Sequence, residues 1–113
     1  MHELETTQDI LRFVIWEAKK HHAKKVLRVL IKIGPISSMI PEYIQYYFKQ
    51  ISQNTIAEGA KMEIRKVPLV QQCGKCGFLH MGESFRPRCQ QCESRQMRVL
   101  SGTDIIVDSV EFE

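Results

Sequence analysis

The sequence predicts an α+β fold in which a small four-cysteine lobe is inserted between two strands of one sheet. Three observations carry that prediction. Residues 4–22 and 41–51 repeat apolar side chains at helical spacing. Residues 26–33, 61–67 and 105–112 are β-branched or alternate as strands do. All four cysteines lie between the second and third of those strands, as Cys73-Gly74-Lys75-Cys76 and Cys89-Gln90-Gln91-Cys92 with 12 residues between the pairs.

The first helix rests on Leu4, Leu11, Val14, Ile15 and Ala18. Ile10, Phe13 and Trp16 widen its apolar face, which implies packing on two sides. Its start is open. Thr6 and Asp9 could form a capping box that starts the helix at Thr7, whereas Leu4 favours an earlier start. Lys19, Lys20, His21, His22, Lys24 and Lys25 follow, where cations complement a helix C-terminus. They read as a solvated face rather than a ligand patch. Val26 to Ile33 reads as a strand with Val29, Ile31 and Ile33 on one face, stopped by Gly34-Pro35. Pro41 opens the second helix, and Ile44, Tyr47, Phe48 and Ile51 form its inward stripe. Tyr43 and Tyr46 are expected to be partly exposed. Met62 and Ile64 mark a half-buried strand, and Pro68 leads into the lobe. In the last strand, Ile105, Val107, Val110 and Phe112 slip by one at Asp108-Ser109, which a β-bulge would accommodate.

A chain of 113 residues, 43% apolar and 26% charged, is a single globular domain or a domain carrying a smaller lobe. No apolar run approaches membrane-spanning length, and the first residues do not read as a signal peptide. The expected setting is therefore cytoplasmic, with no membrane contact, and a reducing compartment favours metal thiolates over disulfides. Net charge is a mild +3 with dispersed basic residues, so no nucleic-acid partner is expected. Phosphate-binding glycine loops, a HExxH helix and a GxSxG elbow are all absent, and no cysteine is left over as a nucleophile. The chain does not read as an enzyme, and no catalytic residue is assigned.

Two CxxC knuckles bring four thiolates to one point, the donor set of structural Zn(II). The predicted ligands are Cys73, Cys76, Cys89 and Cys92. Gly77 follows the first knuckle, where a positive φ lets backbone N–H groups face the sulfurs. Glu93 takes that place in the second knuckle, which weakens the device there. Lys75, Arg86 and Arg88 can offset the charge of a zinc tetrathiolate. His80 could replace a cysteine, but an exposed loop histidine is the plainer reading.

The N-terminus offers a second donor set. The Met1 amine, the deprotonated amide nitrogen of His2 and the His2 imidazole can close fused five- and six-membered rings on one metal. The fourth corner is open to the Glu3 backbone amide or another group. Amide-nitrogen coordination in a plane suits Ni(II) and Cu(II) and does not suit Zn(II). On composition alone, a histidine at position 2 is more often an ordinary surface residue.

Several pieces, in order, resemble the HypA/HybF family of nickel chaperones. They are Met1-His2-Glu3-Leu4, Glu17-Ala18-Lys19-Lys20, Ile33-Gly34, Pro41-Glu42, Ala57-Glu58-Gly59-Ala60 before Met62-Glu63-Ile64, the four cysteines, and Ser101-Gly102. The chain departs from the usual pattern at Glu5, where Ser is common, and in Gly34-Pro35-Ile36-Ser37-Ser38, where many members have Gly-Glu after the first strand. The resemblance implies two helices packed on a three-stranded sheet, with a zinc-ribbon-like lobe inserted before the last strand. Residues 1–68 and 102–113 would form the nickel-binding α/β domain and residues 69–101 the zinc lobe. It implies Ni(II) carried at Met1, His2 and Glu3, beside structural Zn(II) on the four cysteines. The cargo would go to a hydrogenase large-subunit precursor during [NiFe]-hydrogenase maturation, and in some members to urease. A GTPase of the HypB type is the implied partner. Two rivals are a nucleic-acid-binding zinc ribbon, hinted at by Arg86, Arg88, Arg95 and Arg98, and a rubredoxin-like electron carrier.

Overall fold

The structure is a computed structural model that describes residues 2–113. Its elements are α1 (His2–Lys20), β1 (Val26–Ile33), α2 (Pro41–Ile51), β2 (Lys61–Lys66), β3 (Leu69–Cys73), β4 (Leu79–Gly82), β5 (Met97–Ser101) and β6 (Ile105–Phe112). They make two three-stranded sheets, ordered β2-β1-β6 and β4-β3-β5. The chain divides into two compact units. One comprises the segment ending at Lys32 with Met39–Arg65 and Ile106–Glu113, the other Ile33–Ser38 with Lys66–Ile105.

In the first unit, α1 starts at His2, earlier than either predicted start. The Thr6–Asp9 capping box does not form. Thr6 Oγ1 instead lies 3.9 Å from Met39 Sδ, Asp9 pairs with Arg12, and the Thr7 hydroxyl donates to the Glu3 carbonyl at 2.5 Å. Ile10, Leu11, Val14 and Ala18 are buried as their spacing predicts. Phe13 and Trp16 do not pack on a second side. They are 43% and 57% exposed, and Lys20 Nζ sits 5.0 Å above the Trp16 ring. A Schellman motif ends the helix. The Ala23 N–H donates to the Ala18 carbonyl at 2.8 Å, and the His22 N–H to the Lys19 carbonyl at 3.0 Å. His22 takes the left-handed position at φ 56, which glycine usually fills. The exposed His21-His22 pair thus ends a helix.

β1 and α2 keep their predicted bounds. Val26, Val29 and Ile31 of β1 are fully buried, as are Ile44 and, within 2%, Phe48 of α2. Each such side chain stabilises the fold by roughly 1.5–3 kcal/mol. α1 and α2 pack on one another. Tyr47 is half-buried, while Tyr43 and Tyr46 are exposed. Along β6, Ile105, Val107, Val110 and Phe112 are half-buried and both Asp108 and Ser109 are exposed, so the predicted one-residue slip is present in the burial pattern.

The second unit centres on β3, antiparallel to both neighbours. Gln71 faces His80 of β4 and Val99 of β5, with an irregularity between Val70 and Gln71 on the β5 side. Leu69, Gln71 and Cys73 alternate inward. Next to this sheet, two glycines meet backbone to backbone. A Cβ on Gly34 would lie 1.9 Å from the Gly102 carbonyl oxygen, and Gly102 itself sits at φ +103. The Gly34 N–H donates to Asp104 and the Ile36 N–H to Gly102. Gly34→Ala is therefore expected to destabilise the protein by roughly 3 kcal/mol or more. Gly82→Ala, whose Cβ would meet nothing within 4 Å, should stay within about 0.5 kcal/mol. Urea unfolding of both variants checks the contrast, and equal midpoints would refute it.

Candidate metal centre

Two tight turns build the four-cysteine cluster. Cys73 ends β3, and the Gly77 N–H closes on its carbonyl at 3.0 Å; the Glu93 N–H closes on the Cys89 carbonyl at 2.9 Å. Gly77 has φ +81 and Glu93 has φ +60. The second knuckle therefore takes the same left-handed turn without a glycine. In each turn, backbone N–H groups face the leading sulfur. Lys75 and Cys76 donate to Cys73 Sγ at 3.4 Å, and Gln91 donates to Cys89 Sγ at 3.3 Å.

The four sulfurs lie within 4.8 Å of one another, with Cys73–Cys92 and Cys76–Cys89 each at 3.6 Å. All are free thiols. A tetrahedral Zn(II) with bonds of about 2.3 Å places its sulfurs about 3.8 Å apart, so the donor set fits such an ion. The four cysteines are arranged to hold a metal ion.

The thiols are not equivalent before a metal arrives. Cys73 is held down to about 6, foremost by the Cys76 N–H and also by that of Lys75, against the upward push of burial. Cys76 rises to about 11. The Phe78 N–H draws it down, but burial and the thiols of Cys89, Cys92 and Cys73 outweigh that. Burial pushes Cys89 up, yet the N–H groups of Cys92 and Gln91 prevail and its pKa is lowered. A thiol with a depressed pKa favours the folded lobe above the ordinary thiol range. That contribution disappears as pH falls through about 6. At neutral pH, metal uptake is expected to displace a proton from Cys76 more than from Cys73. Zinc affinity should accordingly fall more steeply with pH below about 6 than above it. Competition with a zinc-binding dye across that range checks this, and a constant slope would count against it.

The N-terminal donors lie on α1. Met1 is outside the described residues. His2 is exposed in the first turn, where backbone N–H groups lie outside the helix's own hydrogen-bond ladder. Glu3 is buried, and its Oε2 accepts a hydrogen bond from the Ile40 N–H at 3.1 Å. The structure thus places His2 and Glu3 consecutively on one turn, with the imidazole in solvent and the carboxylate against α2.

The family described as hydrogenase/urease nickel incorporation, metallochaperone, hypA matches residues 1–112. The chain belongs to the HypA family. Similar relatives include the hydrogenase maturation factors HypA of Acidithiobacillus ferrooxidans, at 34% identity, and Geobacter sulfurreducens, at 29%, each aligned over the whole of both chains. Among solved structures, the Ni metallochaperone HypA from Helicobacter pylori covers 97% of this chain and 96% of its own, with TM-score 0.72 and 20% identity. A solution structure of a HypA protein covers 100% and 97%, with TM-score 0.79 and 22% identity. These likenesses show the same fold: two helices with a three-stranded sheet and a four-cysteine lobe. HypA proteins are maturation factors that incorporate nickel, and no helix among the described residues is long and apolar enough to cross a membrane.

In this member of the HypA family, one residue of the lobe, His80, lies elsewhere than the sequence suggested, and another, Gln71, escaped the sequence reading. His80 is not an exposed loop histidine. It lies on β4, 5% exposed, with Nε2 3.4 Å from Cys89 Sγ and its ring edge-on to Phe78 at 4.8 Å. Strand alternation turns it inward, opposite Gln71. Gln71, 2% exposed, clamps the loop before the second knuckle. Its Nε2 donates to the Arg86 carbonyl at 3.0 Å, and its Oε1 accepts from the Arg86 N–H at 2.9 Å. The signal available was an alternating Gln71 and His80 in two short strands, which polar side chains obscured.

Proposed function

We propose that this HypA-family chain carries Ni(II) on Met1, His2 and Glu3 and delivers it to a hydrogenase large-subunit precursor, with urease a further recipient. A HypB-type GTPase is the proposed partner in loading. Structural Zn(II) on Cys73, Cys76, Cys89 and Cys92 would hold the lobe, the span proposed being residues 69–101, with residues 1–68 and 102–113 carrying nickel. The compartment proposed is the cytoplasm.

The observation that carries this reading is the exposed His2 in the first turn of α1, in a chain that aligns with the nickel-incorporation family from residue 1. The imidazole meets solvent, and the adjoining amide lies outside the helix ladder. A planar four-coordinate ion there keeps an open axial face, which a recipient thiolate can attack. Release then needs no unfolding of the core.

His2→Ala tests it. The variant should lose specific Ni(II) binding, because the imidazole donor is gone, while zinc content and thermal stability stay at wild-type values, because His2 is exposed. Isothermal titration with the native N-terminus is the measurement. Unchanged nickel stoichiometry in the variant would move the site elsewhere.

A further inference from the structure

α2 begins in an unusual way. Its N-cap residue is Ile40, at φ −98 and ψ 113, and no side chain of the local sequence caps it. Pro41 follows without an N–H. In a capping box, a glutamate or glutamine at the third helical position reaches back to the N-cap N–H. The third position here is Tyr43, which has no carboxylate or amide to offer. The missing acceptor comes from 37 residues away: Glu3 Oε2 accepts the Ile40 N–H at 3.1 Å. Glu3 is only 5% exposed, and its charge faces the positive end of α2.

We propose that the Glu3 side chain is the cap of α2 and a positioning residue for the nickel chelate, which Glu3 enters only through its backbone. This rests on the nickel reading of Met1 and His2. Among the contacts of Glu3, its carboxylate accepts from the Ile40 N–H and its carbonyl from the Thr7 hydroxyl. These contacts anchor the residue next to His2, so the His2 donors would need less ordering when nickel arrives. Nickel is in turn felt at Ile40, through the carboxylate.

Glu3→Gln and Glu3→Ala, both with the native N-terminus, separate the possible roles. Glutamine keeps an oxygen that can accept the Ile40 N–H, and alanine does not. In Glu3→Ala, hydrogen exchange at the Ile40 amide should quicken roughly fivefold or more. Nickel affinity should fall about tenfold. Glu3→Gln should stay close to wild type in both. In the wild type, nickel should shift the Ile40 amide resonance, and His2→Ala should remove that shift. Equal loss of nickel in Glu3→Gln and Glu3→Ala, with Ile40 exchange unchanged, would make the carboxylate a nickel ligand and overturn the proposal. Ile40 exchange alike in wild type and Glu3→Ala would remove the cap whatever nickel does. A wild-type chain that binds no nickel at His2 would overturn the nickel reading and the positioning role with it, while the exchange comparison would still decide the cap.

Discussion

Extending the chain by Gly-Ser ahead of Met1 is expected to abolish specific nickel binding. The chelate needs a terminal amine one residue before His2, so that amine and amide nitrogen close a five-membered ring. An extension turns the amine into a peptide nitrogen, which gives up its proton far less readily. The loss should exceed the roughly 10- to 100-fold that removing an outer partner of a metal site costs. Neither the exposed His21-His22 pair nor the four-cysteine cluster would sense the change. Gly-Ser is the informative extension because it puts the histidine fourth. A histidine in third place would create a different amine–amide–amide–imidazole chelate. Visible spectra and titrations of both forms decide the matter. A planar d–d band that survives the extension would move the site away from Met1, His2 and Glu3.

Cys89→Ser should cost the lobe its metal and its order. Cys89 is 2% exposed, and its sulfur meets Cys76 Sγ, His80 Nε2 and the Gln91 N–H. Structural zinc contributes about 10–16 kcal/mol of apparent binding free energy to small folds. The lobe has little else to rely on. Of its side chains, only Leu69, Gln71, Cys73, His80 and Cys89 are buried, and two of these are cysteines of the cluster. The variant should fall below one zinc per chain and lose amide dispersion for β3, β4 and β5. Signals from α1, β1 and α2 should persist, because Val14, Val29, Ile31 and Ile44 form a core without a metal. Full zinc content, or an intact lobe spectrum in the variant, would refute this.

What was legible in the sequence follows from how local each signal is. β1 and α2 were readable to the residue because a β-branched run and a proline-led apolar stripe need no distant partner. The cysteine pairs were readable for the same reason, since each turn is completed within five residues. The start of α1 was not. Thr6 and Asp9 advertise a cap nearby, but the first turn is held by Ile40, which local spacing cannot reveal. Phe13 and Trp16 misled in the opposite direction, because hydrophobicity states what a side chain tolerates and not whether a partner is present. The second sheet was hidden by short strands whose inward positions include Gln71 and His80. The proposed nickel residues drew weight from resemblance, since donors on adjacent residues leave no periodic trace.

The order β2-β1-β6 has a kinetic consequence. The central strand β1 and its outer neighbour β6 are separated by about 70 residues, so their pairing must close a long loop. Just beyond the strand ends, the Glu113 N–H donates to the Lys25 carbonyl at 3.0 Å. Until β6 has been made, β1 therefore holds an open sheet edge. A lobe already tied by metal would shorten the intervening loop by about half, which lowers the entropy of closure by only about 0.6 kcal/mol. Metal therefore speeds completion of the first sheet less than about threefold, and apo chains reach the same pairing at nearly the same pace. The edge that is exposed longest, β1, carries Arg28 and Lys32, charges of the kind that keep an unpaired strand from joining a neighbour's.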